Sequence, residues 1–181
     1  MPLFGSFSLL LALALSIYSF VAGIVALVRR KTGSAALSET ARRAGMGVFI
    51  ALTAAAIALV AAAFTNDFSV AYILHHSNRD LSPAYKFSVL WSGQEGSLLF
   101  WAWLLSAYGF VLRWRHHVDT RLVAYASVII AGVQVFFTLL NNFAANPFAM
   151  MVGNIPSDGN GLNPLLQYPE MVIHPPMLYL G

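Results

Sequence analysis

Long apolar runs separated by shorter charged or turn-rich stretches set the pattern of this chain. A membrane-spanning helix needs about 20 mostly apolar residues, and four segments provide them. Residues 3–28 and 44–64 carry no charge, 87–112 contains one acid, Glu95, and 122–140 has Gln134 as its strongly polar residue. The intervening stretches are of two kinds: 29–43 and 113–121 are basic, whereas 65–86 and 141–176 mix polar, aromatic and proline residues. The pattern predicts an all-α, polytopic transmembrane helix bundle forming a single membrane domain over 1–181, with four complete spans. A proline-rich external C-terminal segment then leads into a truncated fifth span. The first run is read as a span and not as a signal peptide. No Lys or Arg precedes it, its apolar stretch is long, and a basic cluster follows where a small-residue cleavage site would stand.

Charge assigns the sides. Arg29, Arg30, Lys31, Arg42 and Arg43 lie in the first loop and Arg113, Arg115 and Arg121 in the third, so of the 10 basic residues only Arg79 and Lys86 fall elsewhere. Basic residues concentrate in cytoplasmic loops. Loops 29–43 and 113–121 are therefore expected in the cytoplasm, and the N-terminus, 65–86 and 141–176 on the opposite side. Composition agrees: 59% of residues are hydrophobic and 9% charged, where a soluble domain carries roughly a quarter charged residues. The net charge of +3 reflects this sorting and gives no argument for nucleic-acid binding. The chain has no cysteine, which excludes disulfides, thiolate metal sites and thioether attachment of haem to the chain itself.

Chemistry has few carriers. Glu95 lies in Trp91-Ser92-Gly93-Gln94-Glu95-Gly96-Ser97, about two turns below the outer surface if 87–112 is one helix. An acid in a span is costly, about 2.5–3.5 kcal/mol at a helix centre on insertion scales. Two readings stand: a substrate-facing or gating carboxylate, or a helix-packing knot in which Gly93, Gly96 and Ser97 let a neighbour approach. Asp67–Leu74 has the makings of a short interfacial helix, with Tyr72, Tyr85 and Trp91 placed as interfacial anchors. His75 and His76 are adjacent and cannot share a helix face, so they read as a polar loop; His116 and His117 read as a solvated basic loop. His174, in Val172-Ile173-His174-Pro175-Pro176-Met177, stands apart. The prolines bias it towards extended backbone, and a histidine framed by apolar residues at a membrane surface can ligate a haem iron through a neutral imidazole. A structural role at the start of a helix is the alternative. Met177 reads as packing. Asn-Pro pairs at Asn146-Pro147 and Asn163-Pro164 initiate turns.

Several of these stretches, in order and spacing, resemble one family. Asn163-Pro164-Leu165-Leu166-Gln167 followed by Ile173-His174-Pro175-Pro176-Met177-Leu178-Tyr179 is very similar to a signature of the cytochrome c-type biogenesis haem lyases, the large integral subunit of the bacterial maturation system and its nitrite-reductase paralogue. Asp67-Phe68-Ser69-Val70-Ala71-Tyr72 with His76-Ser77-Asn78, Tyr85-Lys86, Trp91–Trp101, Thr138-Leu139 and Asn146-Pro147-Phe148 extend the likeness over nearly the whole chain. Gln94 stands where relatives often have histidine.

The resemblance implies a multi-pass protein of the bacterial inner membrane with a periplasmic haem-handling face. It makes His174 an external axial ligand to haem b, a transient substrate brought by a haem chaperone. The implied reaction joins haem to the Cys-x-x-Cys-His motif of an apocytochrome c presented by a thiol-reducing subunit. The enzyme's part is then positioning and control of the iron's oxidation state. The family's tryptophan-rich haem-binding segment lies beyond Gly181, so the chain is expected to be an N-terminal portion or one piece of a split subunit completed by a second polypeptide. Two readings of other classes remain: a haem or ion transporter using Glu95, and a non-catalytic assembly scaffold.

Overall fold

All four apolar runs fold as helices, and the turn-rich stretches fold over one end of them. A computed structural model describes residues 1–29, 34–115 and 120–180. Helix α1 (Pro2–Val28) and α2 (Ser34–Phe64) are followed by two short helices, α3 (Ala71–His76) and α4 (Pro83–Ser88). Then come α5 (Gln94–Trp114), α6 (Thr120–Leu139) and α7 (Pro169–Leu180). The described residues contain no strand, only an isolated antiparallel bridge between Val70 and Met150. Four helices are long and apolar enough to cross a membrane.

Three boundaries differ from the sequence reading. Helix α2 starts at Ser34, well before the apolar run at 44, because Glu39 pairs with Arg42 (2.7 Å) and Arg43 (2.8 Å) one turn on and carries the helix into polar sequence. The third run is not one helix: α4 passes into a 3₁₀ turn over Val89–Trp91, the chain breaks at Ser92-Gly93, and α5 starts afresh. At the far end of α6 the helix widens into a π turn over Leu140–Ala144. His116, His117, Arg30 and Lys31 lie outside the described residues.

Small side chains bring the helices together. Leu9, Ala12, Ser16 and Ser19 of α1 and Ala51, Ala55, Leu59 and Ala62 of α2 are buried at helical spacing. This is how apolar helices pack closely where burial from water supplies no force. Hydrogen bonds then tie the bundle pair by pair. Ser19 Oγ donates to the Ala41 carbonyl between α1 and α2 (2.9 Å), and the Ser16 and Thr138 hydroxyls link α1 to α6 (3.1 Å). Trp103 Nε1 donates to Thr53 Oγ1 between α5 and α2 (2.9 Å), and Gln134 Nε2 to the Ala102 carbonyl between α6 and α5 (3.2 Å). The outward residues Leu3, Phe7, Ile50, Ile57, Ile129 and Phe136 are exposed, as suits an apolar surrounding.

The stretches 65–93 and 141–168 form one layer over the end of the bundle. Ala71 N donates to the Ala149 carbonyl, Met151 N to Ser69, Asn160 N to Leu74 and Gly161 N to Ser77, at 2.8–3.1 Å. Arg79 donates from its backbone N–H to Asp158 and from Nε to the Ser157 carbonyl (both 3.0 Å), with its guanidinium over the Phe68 ring. The Asn-Pro pairs initiate turns as expected: Asn146 Oδ1 accepts from Phe148 N and Asn163 Oδ1 from Leu165 N. The buried Phe148 ring pins this layer against α1 beside Gly5.

Candidate functional site

The break before α5 organises the layered end. Opening a new helix at Gln94 leaves orphan backbone groups on both sides of Ser92-Gly93. Tyr72 on α3 bridges the two sides with one hydroxyl: it accepts from Gly93 N (3.0 Å) and donates to the Val89 carbonyl (2.6 Å), which also accepts from Ser92 N and Oγ (3.2 and 3.1 Å). Ser97 Oγ donates to the Trp91 carbonyl (3.0 Å) and completes the joint. Tyr72 is buried, which corrects its reading as an interfacial anchor, and burial pushes its hydroxyl well above the ordinary tyrosine value. The glycines are needed for this approach. A β-carbon on Gly96 would collide with the Tyr72 hydroxyl and the Leu90 carbonyl, and one on Gly93 with the His76 imidazole.

His76 is thereby placed in the joint and not in a loop. Its ring stacks on Tyr72 (centroids 4.4 Å apart) and its Nδ1 lies 2.9 Å from the Tyr72 carbonyl. His75, at the exposed end of α3, sits 3.3 Å from Asn160 Nδ2. Glu95 occupies the second position of α5, at the mouth of the span and not two turns down it. The cause is the Ser92-Gly93 break, which resets where the long helix starts. An acid in the first turn of a helix faces the positive end of its dipole, and the helix-packing role falls to the glycines around it.

Helix α7 is docked on this joint. It carries Pro175 and Pro176 in its interior, which corrects the extended geometry expected for His174: the backbone there is helical. A proline withholds the N–H that would bond the carbonyl four residues earlier, so Pro176 orphans the Val172 carbonyl. Trp91 Nε1 fills that vacancy at 3.1 Å. Tyr85 donates to the Gln167 carbonyl (2.6 Å) just before the helix, and Tyr179 packs on the Phe100 and Trp101 rings of α5 at 5.7 and 5.2 Å. Val172, Pro176 and Tyr179 thus form the face turned to the bundle.

His174 lies on the opposite face. It is exposed, and no residue among those described hydrogen-bonds it. Met171, Met177 and Leu178, three or four positions away on the same side, are exposed too. The structure thus separates the two predicted site residues: Glu95 belongs to the joint under α3, whereas His174 looks away from the bundle with an apolar surround. Among the described residues, no three His, Cys, Asp or Glu side chains cluster to hold a metal ion. The donor set nonetheless suits one axial bond to a haem iron: a free imidazole, fixed to a helix whose other face is locked, beside methionine and leucine. Sequence reasoning missed what locks it, the pairing of Trp91 and Tyr85 with carbonyls of the proline-rich segment. The signal was present in Pro176, whose i−4 carbonyl must find a donor.

A polytopic helical protein with an organised face over one end is the class this architecture defines. The Cytochrome C assembly protein family matches residues 91–181, and the chain belongs to that family. It is 38% identical over 98% of its length to the cytochrome c-type biogenesis protein CcmF of Haemophilus influenzae, covering 27% of that protein. It is 35% identical over its whole length to the protein of that name from Escherichia coli, covering 28% of it. It also matches the probable cytochrome c-type biogenesis protein NrfE of E. coli, at 36% identity over 64% of the chain and 21% of the relative. In structure it resembles a cytochrome c haem lyase CcmF with a TM-score of 0.81 at 25% identity, over 99% of this chain and 27% of that one. The chain spans about a quarter of the length of these relatives.

Proposed function

We propose that this chain is the haem-handling N-terminal part of a haem lyase acting in cytochrome c maturation in a bacterial inner membrane. Its N-terminus and the layer that carries α3 and α4 and docks α7 face the periplasm, and the end of the bundle where α2 begins and α5 finishes faces the cytoplasm. The observation that carries the reading is the presentation of His174: an exposed imidazole, unpartnered among the described residues, on a helix docked by its other face. That arrangement supports axial ligation of haem b delivered by a chaperone, with the Met171, Met177 and Leu178 side chains against the apolar macrocycle. The apocytochrome thiols and the subunit presenting them are partners of the complete enzyme. Sorting of basic residues between alternate loops supports the orientation.

The transporter reading loses support from the place of Glu95, since a first-turn acid at the mouth of a span marks no path across it. The test is haem content of the purified complete protein and cytochrome c yield in cells carrying His174→Ala. Haem and mature cytochrome should fall to background while membrane insertion is unchanged, and Glu95→Gln should remain near wild type. Normal haem loading in His174→Ala would remove that residue from the site; loss of haem in Glu95→Gln alone would favour the transporter.

A further inference from the structure

At the end of the bundle away from α7, Arg113 turns its side chain inward between helices. It is 3% exposed, and its guanidinium occupies the space a β-carbon on Gly45 of α2 would need. A guanidinium has five N–H donors. Nη2 donates to the Ser127 carbonyl of α6 at 3.0 Å, whereas Nε is buried with no hydrogen-bond partner. No carboxylate among the described residues pairs with it. Glu39, the acid of this region among the described residues, is held by Arg42 at 2.7 and 2.8 Å and by Arg43 at 2.8 Å. A buried charge that no described residue neutralises is strongly unfavourable, and Arg113 borders open space. A cleft of about 450 Å³ runs between α1, α2 and α6, bordered by Arg113, Arg42, Glu39, Ser38 and Ser127 on its polar side and by Leu27, Ala124 and Val128 on its apolar side; the Glu39 carboxylate in that lining is already neutralised by Arg42 and Arg43. That volume is in the range of small-molecule sites.

We propose that this cleft is an anion site for a phosphate group, presented by a phospholipid headgroup or by a soluble phosphate compound, with Arg113 as its buried ligand and Arg42 at its margin. A phosphate beside the guanidinium supplies the counter-charge that none of the described residues gives Arg113, through charge-assisted hydrogen bonds. The apolar wall and basic floor, set between transmembrane helices, match the pockets in which anionic lipid headgroups are held. The site is remote from His174 and does not depend on the haem reading.

The test uses the complete protein in nanodiscs of phosphatidylcholine alone or with one-third phosphatidylglycerol, each with and without inorganic phosphate. Thermal unfolding and native mass spectrometry are the readouts. Stabilisation and retained phosphatidylglycerol identify the lipid headgroup, whereas stabilisation by inorganic phosphate in phosphatidylcholine discs identifies the soluble source. In either case Arg113→Gln should weaken binding at least about tenfold, the loss of one charge-assisted hydrogen bond. Ala124→Phe, which fills the cleft without changing charge, should weaken it as well, and it keeps the test open if Arg113→Gln fails to fold. Arg115→Gln, an exposed cation two residues on, should bind as wild type. No stabilisation by either probe would overturn the proposal and leave Arg113 as a structural tie between α5 and α6. So would equal losses in Arg115→Gln and Arg113→Gln, which would mean general attraction of charge to the membrane surface.

Discussion

Tyr72 and Arg113 sit near opposite ends of α5, 4% and 3% exposed respectively, and their polar groups are treated differently. The Tyr72 hydroxyl makes both bonds its geometry allows, to Gly93 N and the Val89 carbonyl, within contact of Gly96. The Arg113 guanidinium uses one backbone carbonyl, leaves Nε unpartnered against Gly45, and borders a cleft. A neutral group with every bond made is a fastening: it holds α3, the 3₁₀ turn and α5 in one arrangement, and α7 docks on the result. A buried charged group that no described residue neutralises suits a receptor, since a buried ion needs a counter-charge. The end carrying His174 is therefore rigid beneath an exposed side chain, and the other end holds room for something absent from the chain itself.

The contrast can be broken at the fastened end. Gly96→Ala should have the largest effect, because the added carbon meets a backbone carbonyl that cannot swing away as well as the tyrosine hydroxyl. A loss of about 3 kcal/mol is expected from overpacking of this kind, read as a drop in the unfolding midpoint in detergent. If Gly96→Ala is as stable as wild type, the joint is not tight. Tyr72→Phe keeps the ring, strands the Gly93 N–H and leaves the Val89 carbonyl to Ser92 alone, for a loss of about 2 kcal/mol. This variant also tests a pH effect. The folded state raises the Tyr72 pKa, so the folded form holds the phenolic proton more tightly than the unfolded chain. The contribution is fully present below the ordinary tyrosine value of about 10 and is lost as pH rises above it towards the folded value. Wild type should lose stability above about pH 10 more steeply than Tyr72→Phe; parallel alkaline curves would show that Tyr72 adds nothing to that slope. The smallest effect is expected of Trp91→Phe, which leaves the Val172 carbonyl without its donor at a cost of about 1 kcal/mol. Its sharper readout is limited proteolysis around 167–172, where cutting should become faster if the indole holds α7 down. An unchanged rate would place the docking in the Tyr179 ring contacts instead.

The apolar runs predicted four long helices because residues that must face lipid are apolar all round, a property each segment carries by itself. The Asn-Pro turns were also legible, since the Asn side chain bonds a backbone N–H two residues on and needs nothing distant. The break inside 87–112 was not. Ser92-Gly93 is mild punctuation, and what splits the helix is a tyrosine some twenty positions earlier (the 21-residue separation of Tyr72 and Gly93). For the same reason Glu95 was placed too deep, and His76, a joint residue, read as loop. His174 was singled out by its framing between apolar residues and prolines, but its backbone was misread: the local rule that a residue before proline avoids the helix gives way where a neighbour supplies the missing hydrogen bond, and Trp91 does so.

By itself, then, the sequence determined the class of the molecule, its number of long apolar helices and the residue types able to meet a haem iron, because these follow from composition and short-range periodicity. The tertiary structure decided which groups became fastenings and which stayed open. Tyr72, Trp91 and Arg113 acquire their roles from partners 17, 81 and 14 residues away, at Val89, Val172 and Ser127. No local pattern states whether a buried donor will find its acceptor; only the packing of the helices does.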